Sequence, residues 1–160
     1  MRRMARVALA AALFGASAHA LSAQTATLTV TGAATQMPSP TLADYVAGSL
    51  TDPTPVTYSL RLNSGRANCT YTIRVQLRAS GADLGSGKPI SDLQWSTTGS
   101  YTSVTASYVT VATHTMSTAA TTASGSITLR VRLNWTDTAA SYTGSALGFR
   151  TSGTASGSGC

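Results

Sequence analysis

Alternation with period two runs through most of this chain and limits what it can fold into. In VTYSLRL, Val56, Tyr58, Leu60 and Leu62 fall on one side, with Thr57, Ser59 and Arg61 on the other. CTYTIRVQL sets Cys69, Tyr71, Ile73, Val75 and Leu77 against Thr70, Thr72, Arg74 and Gln76. ITLRVRLNW sets Ile127, Leu129, Val131, Leu133 and Trp135 against Thr128, Arg130, Arg132 and Asn134. TATLTVT repeats the pattern with Ala26, Leu28 and Val30 facing away from four threonines. Successive strand side chains point to opposite faces, so each stretch makes one apolar and one wet face. Thr, Val, Ile and Tyr suit such a pleated surface.

Sheets wet on one side are antiparallel, and two of them must bury their apolar faces against each other. No stretch shows sustained helical periodicity with caps, and no βαβ spacing is present. The expected fold is all-β: an antiparallel two-sheet sandwich, immunoglobulin-like, with about seven to nine strands. A jelly roll or small barrel is the alternative topology. Residues 32–43, GAATQMPSPTLA, read as a Pro-punctuated crossover, and residues 79–92 read as a long Gly/Ser loop. TTGS at 97–100 and TTASGS at 121–126 read as turns, and residues 151–160 as a flexible Ser/Gly-rich tail.

The first residues read as an address. Arg2, Arg3 and Arg6 supply a positive region, Val7 to Phe14 a short apolar core, and Ala18-His19-Ala20 a small-residue cleavage site. Cleavage is expected after Ala20, with Ala23 as the neighbouring alternative. The apolar run is far shorter than the roughly 20 residues that span a bilayer, and no second one follows. The expected organisation is a signal peptide over 1–20, a β-sandwich domain over 21–150 and the tail over 151–160. The expected location is secreted, periplasmic or at the cell surface, with no transmembrane helix in the mature chain.

Charge and cysteines follow from that reading. The full chain has eleven basic and five acidic residues and a formal charge of +6. Three of the arginines lie in the leader, so eight basic residues face five aspartates in the remainder, a net +3. So mild an excess does not point to nucleic acid, and no nucleic-acid partner is expected. Cys69 and Cys160 are the two cysteines, and an oxidising compartment makes a disulfide between them the default. An intermolecular link through Cys160 is the rival arrangement.

Enzyme motifs are missing. His114 is the one histidine outside the leader, and it stands without a nearby cysteine or carboxylate pattern. There is no H-E-x-x-H, no G-x-S-x-G and no phosphate-binding glycine loop, and the aspartates are spread through turns. No catalytic, cofactor or metal site is expected. Parity commits Trp135 to the core, with Asp137 binding turn amides and Tyr142 holding the next strand. Leu93 and Trp95 of KPISDLQWS share an inward parity in the same way. PTLADYVAGSL reads as a short strand or turn in which Gly48 lets backbones approach. Arg61 and Arg74 lie on the wet faces of hairpin neighbours, and Arg130 and Arg132 on that of another strand, so together they form a candidate basic partner surface. Parity places the aromatics on the other side. Tyr45, Tyr101 and Tyr108 are the exposed-ring candidates for a sugar.

The leader, PTLADYVAG, KPISDLQWS and the closing LRVRLNWTDTAASYTGSALGF together resemble exported bacterial β-sandwich surface proteins of immunoglobulin-like, pilus- or coat-like kind. Many such chains end on strand-Trp-x-Asp-x-Pro-Gly-x-Tyr-strand; here Ala139, Ala140 and Ser141 stand where Pro-Gly is expected, which loosens the bend. The resemblance implies a structural or adhesive module and transfers no catalytic residue. The expected function is therefore non-enzymatic, with the chain itself, other surface proteins or glycans as partners. A stand-alone carbohydrate-binding module is the alternative.

Overall fold

The computed structural model describes residues 26–32, 36–81, 83–143, 147–158 and 160. The expected leader and its cleavage sites lie outside the described residues. Among the described residues, eleven strands and one short helix follow in chain order: β1 (Ala26–Thr31), β2 (Gln36–Met37), α1 (Leu42–Ala47), β3 (Ser49–Thr51), β4 (Val56–Leu62), β5 (Thr70–Ala79), β6 (Leu93–Ser96), β7 (Thr102–Ser103), β8 (Val109–Met116), β9 (Thr122–Arg132), β10 (Tyr142–Thr143) and β11 (Leu147–Ser156). A 3-10 turn, Ile90–Asp92, precedes β6.

These strands form an all-β, antiparallel two-sheet sandwich. One sheet runs β1-β4-β9-β6-β7, with β3 also on β9; the other runs β11-β5-β8; β10 and β2 make a small ribbon. The parity read from the sequence places the core. Val56, Tyr58, Leu60 and Leu62 of β4 and Ile127, Leu129 and Val131 of β9 are buried in one cluster with Tyr71, Ile73, Val75 and Leu77 of β5. Each such side chain contributes roughly 1.5–3 kcal/mol by leaving water. Where the two sheets meet, Tyr58 Oη lies 2.9 Å from His114 Nε2 of β8. Its register partner on β9 is Gly125, and a Cβ there would come within 2.3 Å of the Tyr58 hydroxyl. The glycine makes room for the ring.

Several expectations change. β4 and β5 are not sheet neighbours: β4 pairs with β1 and β9, and β5 with β11 and β8. TTASGS is not a turn but spans the beginning of β9, with Ala123 and Gly125 inward and Thr122, Ser124 and Ser126 exposed. The tail is not free either. Residues 151–156 form the second half of β11, which pairs with β5 over its whole length from Leu147↔Ala79 to Ser156↔Thr70. Its residues are small, yet they saturate the open edge of β5. Beyond it, Cys160 is bonded to Cys69, so the chain end is stapled beside the start of β5 within the same molecule.

That staple closes a loop of 91 residues. Cys160→Ser is expected to cost about 2–5 kcal/mol, measured by urea unfolding under non-oxidising-exchange conditions. The unmodified protein should run as a monomer in non-reducing electrophoresis, with slower migration after reduction.

Candidate partner-binding surface

The most exposed apolar side chains gather at one corner, and local sequence explains each element of it. Thr41 is followed three residues later by Asp44. The Asp44 carboxylate accepts hydrogen bonds from the Thr41 N–H and hydroxyl, both at 2.7 Å, while the Asp44 N–H donates to Thr41 Oγ1. This is a capping box with Asp in place of Glu. The Thr41 bonds hold the Asp44 carboxyl below its usual range. Gly48, left-handed at φ 68°, ends the helix. The stretch expected as a strand or turn is therefore α1, and the T-x-x-D signal for it is present in the sequence. Leu133 N–H donates to the Gly48 carbonyl at 2.9 Å, which ties the helix exit to the end of β9.

Past Leu133 the alternation stops. The Asn134 N–H donates to Asp137 Oδ2 at 2.7 Å, and the Asp137 N–H donates back to the Asn134 carbonyl at 3.0 Å. This Asx-closed turn begins before Trp135 can take an inward strand position. Trp135 is consequently 68% exposed, which corrects its expected place in the core. It stacks on Tyr45 of α1 with ring centroids 5.6 Å apart and planes 20° apart. The Tyr45 hydroxyl donates to the Asp137 carbonyl at 3.0 Å and fixes the platform. Leu42 and Val46, one turn apart on α1, are 72% and 73% exposed. Trp95, by contrast, is half-buried and packs against the core as parity required. Tyr142 is buried and its hydroxyl donates to the Thr138 carbonyl at 2.8 Å, anchoring β10 as expected.

Beneath the corner sits a charge network. The Lys88 side chain, 2% exposed, reaches Asp137 Oδ2 at 2.5 Å and Asp92 Oδ2 at 2.9 Å. Asp92 also takes Arg132 at 2.7 Å. Burial opposes ionisation of both Lys88 and Asp137. The hydrogen bonds and charges that Asp137 and Asp92 give Lys88, and that Lys88 and the Asn134 N–H give Asp137, outweigh it, holding the Lys88 amine above and the Asp137 carboxyl below their ordinary values. A small polar hollow of about 130 Å³ opens here, lined by Ser86, Gly87, Lys88, Thr136, Asp137, Thr138 and Tyr142.

The arginines expected on one surface divide between two. Arg61, Arg130 and Arg132 lie on the outer side of the β4-β9 sheet, whereas Arg74 lies on the outer side of the β5 sheet. An aromatic does reach one of them, Arg130, contrary to parity, because it comes from a loop. Tyr101, just before β7, lies under the Arg130 guanidinium at 3.8 Å, and Arg130 Nε also donates to Gln94 at 2.7 Å. Tyr108, just before β8, lies under Arg78 and Arg150. The last two arginines were not among the candidates, although their outward parity was readable.

Among the described residues, no three His, Cys, Asp or Glu side chains gather as a metal-binding group, and no helix is long and apolar enough to cross a membrane. His114 is bonded to Tyr58 inside the sandwich. No family model, curated protein or solved structure matches the chain.

Lys88→Met leaves two carboxylates without their cation. It is expected to destabilise the fold by about 3 kcal/mol at neutral pH, the low end for a buried pair because both acids keep some water. Asp137 titrates lower when folded than unfolded. The stabilisation is therefore complete above the usual aspartate value of about 3.9 and fades as pH falls through the depressed one. At the alkaline end it fades only as pH rises past the raised value of Lys88. Urea titrations of both proteins from pH 7 down to pH 2 should show the gap between them narrowing only in the acid limb.

Proposed function

We propose that this protein is a non-enzymatic β-sandwich module of the cell exterior, structural or adhesive in role, that meets its partner at the α1–Trp135 corner. The carrying observation is the convergence of Leu42, Val46 and Trp135. They are the large apolar side chains left exposed among the described residues, and all three sit on or against one short helix. Single exposed apolar residues need no explanation, but several gathered at one corner mark a contact surface. Tyr45, Asp137 and Lys88 hold it rigid, which lowers the entropy lost on docking. The disulfide suits an oxidising compartment. The resemblance of the leader and closing segment to exported bacterial surface proteins of pilus- or coat-like kind supports the same reading.

A second reading, a carbohydrate-binding module, is favoured by one particular: an exposed Trp ring, braced from behind by Tyr45, beside a polar hollow. Such a ring offers a flat apolar face to a sugar while the hollow supplies donors and acceptors.

Light scattering across a concentration series tests the first reading. Concentration-dependent association, weakened about tenfold or more by Trp135→Ser and by Leu42→Ser with Val46→Ser, is the expected result; a strict monomer argues against a subunit role. A neutral-glycan array tests the second, with a signal expected that Trp135→Ala removes. Silence across the array retires it.

A further inference from the structure

Part of the positive charge of this chain gathers on one sheet face without acids beside it. All five carboxylates are engaged in caps, turns or ion pairs. Asp44 closes the capping box, Asp52 takes the Thr54 N–H, Asp83 takes the Gly85 N–H, and Asp92 and Asp137 hold Lys88. None of them belongs to the β11-β5-β8 sheet. The outer face of that sheet carries Arg74, Arg78 and Arg150, all exposed, and none of the three makes an ion pair among the described residues.

The backbone brings these three together. Arg74 and Arg78 flank Gln76 at alternate positions of β5, so each lies roughly 6.6–6.8 Å along the strand from it. Arg150 is the register partner of Gln76 on β11, and its Nε donates to Gln76 Oε1 at 2.9 Å. The Arg78 and Arg150 guanidinium carbons lie 4.7 Å and 3.9 Å from the centre of the Tyr108 ring. Gly148 is opposite Arg78 in register. A Cβ there would stand 3.3 Å from Arg78 Nε and 3.6 Å from Tyr108 Oη, so a bare backbone leaves the arginine its resting place. Like charges gathered this way repel, and the ring and one amide offset only part of that. Added anions would relieve the remainder.

We propose that the outer face of the β11-β5-β8 sheet docks an acidic polysaccharide, its uronate carboxylates pairing with Arg74, Arg78 and Arg150. Guanidinium groups match carboxylates in a two-point fork. The rest of the face is hydroxyl-bearing, with Thr72, Thr113 and Ser152 placed to bond sugar hydroxyls. The large exposed apolar residues lie elsewhere, so the face lacks the wedge a lipid surface would take. The Tyr108 ring is already occupied by guanidinium groups, so no base can use it as an unencumbered stacking platform. This surface is separate from the α1–Trp135 corner and does not depend on the reading given to that corner.

Biolayer interferometry of the purified protein over immobilised polygalacturonate tests the proposal, with the methyl-esterified polymer, duplex DNA and phosphatidylglycerol vesicles as comparators. Expected are binding to polygalacturonate that falls with added salt, and little binding to the esterified polymer. Arg78→Gln with Arg150→Gln should weaken binding by about tenfold or more. Arg74→Gln, which breaks no internal contact, should weaken it by about two- to fivefold. The proposal is overturned by no binding to polygalacturonate, by equal binding to the esterified polymer, by equal or tighter binding to DNA or vesicles, or by arginine variants that keep their circular dichroism and bind as before.

Discussion

Burial of β5 is the constraint on which the other parts rest. Tyr71, Ile73, Val75, Leu77 and Ala79 are buried on its inner side, and both of its edges are hydrogen-bonded, one to β8 and the other to β11. A strand with that many inward side chains could not leave an edge in water without exposing backbone donors and acceptors to pairing by another chain. The C-terminal strand answers that need, and its composition follows from the job. Thr151, Gly153 and Ala155 face inward opposite Val75, Ile73 and Tyr71, where the core is already filled by larger neighbours. Leu147 and Phe149 pack on the core from the first half of β11; the second half contributes ladder bonds more than apolar volume, and the Cys69–Cys160 bond keeps it from fraying away.

The corner obeys a different logic, centred on one side chain. The Asp137 carboxylate closes the turn at Asn134, so it ends the β9 alternation, and the same oxygen receives the Lys88 ammonium. Its backbone carbonyl takes the Tyr45 hydroxyl. Three separate segments, the loop before β6, the exit of β9 and α1, are thereby joined at one residue. Trp135 is exposed as a consequence. It sits in a turn whose ends are tied down, with Tyr45 behind it, and cannot rotate into the sandwich without breaking those ties.

Large inward side chains made β4, β5 and the second half of β9 legible in the sequence, and with them the two-sheet architecture. The same parity operates in the first half of β9 and in the second half of β11, but there the inward residues are Ala, Gly and Thr. The contrast between faces then disappears, and Ser/Thr/Gly content imitates a turn or a tail. Gly125 shows why a strand would use such residues: the volume opposite it belongs to the Tyr58 ring. Helix α1 is hidden in the sequence because Leu42 and Val46 do not face the core, so its signature is the Thr41–Asp44 box and Gly48. The misplacement of Trp135 has a local cause too, since parity cannot be carried through a residue whose neighbour's N–H has been captured by a side chain. Outward parity places an arginine on a wet face but does not tell which sheet. The seven residues between β4 and β5 can close a hairpin or cross between layers, and here they cross.

Charge and aromatic placement now fit one scheme. With no glutamate and five aspartates, the chain has few acids to spend, and all five go to turns, caps and the Lys88 network. Arg132 takes Asp92, but no acid pairs with Arg78, Arg130 or Arg150 among the described residues. What replaces an acid there is the tyrosine ring: Tyr101 beneath Arg130, and Tyr108 beneath Arg78 and Arg150. A ring orients a guanidinium and partly offsets its charge without cancelling it, and it leaves the outer N–H donors unpaired. An acid in the same position would have quenched the field that a tyrosine leaves available. The substitution of rings for carboxylates as arginine supports turns a mildly basic composition into locally basic faces on a rigid scaffold.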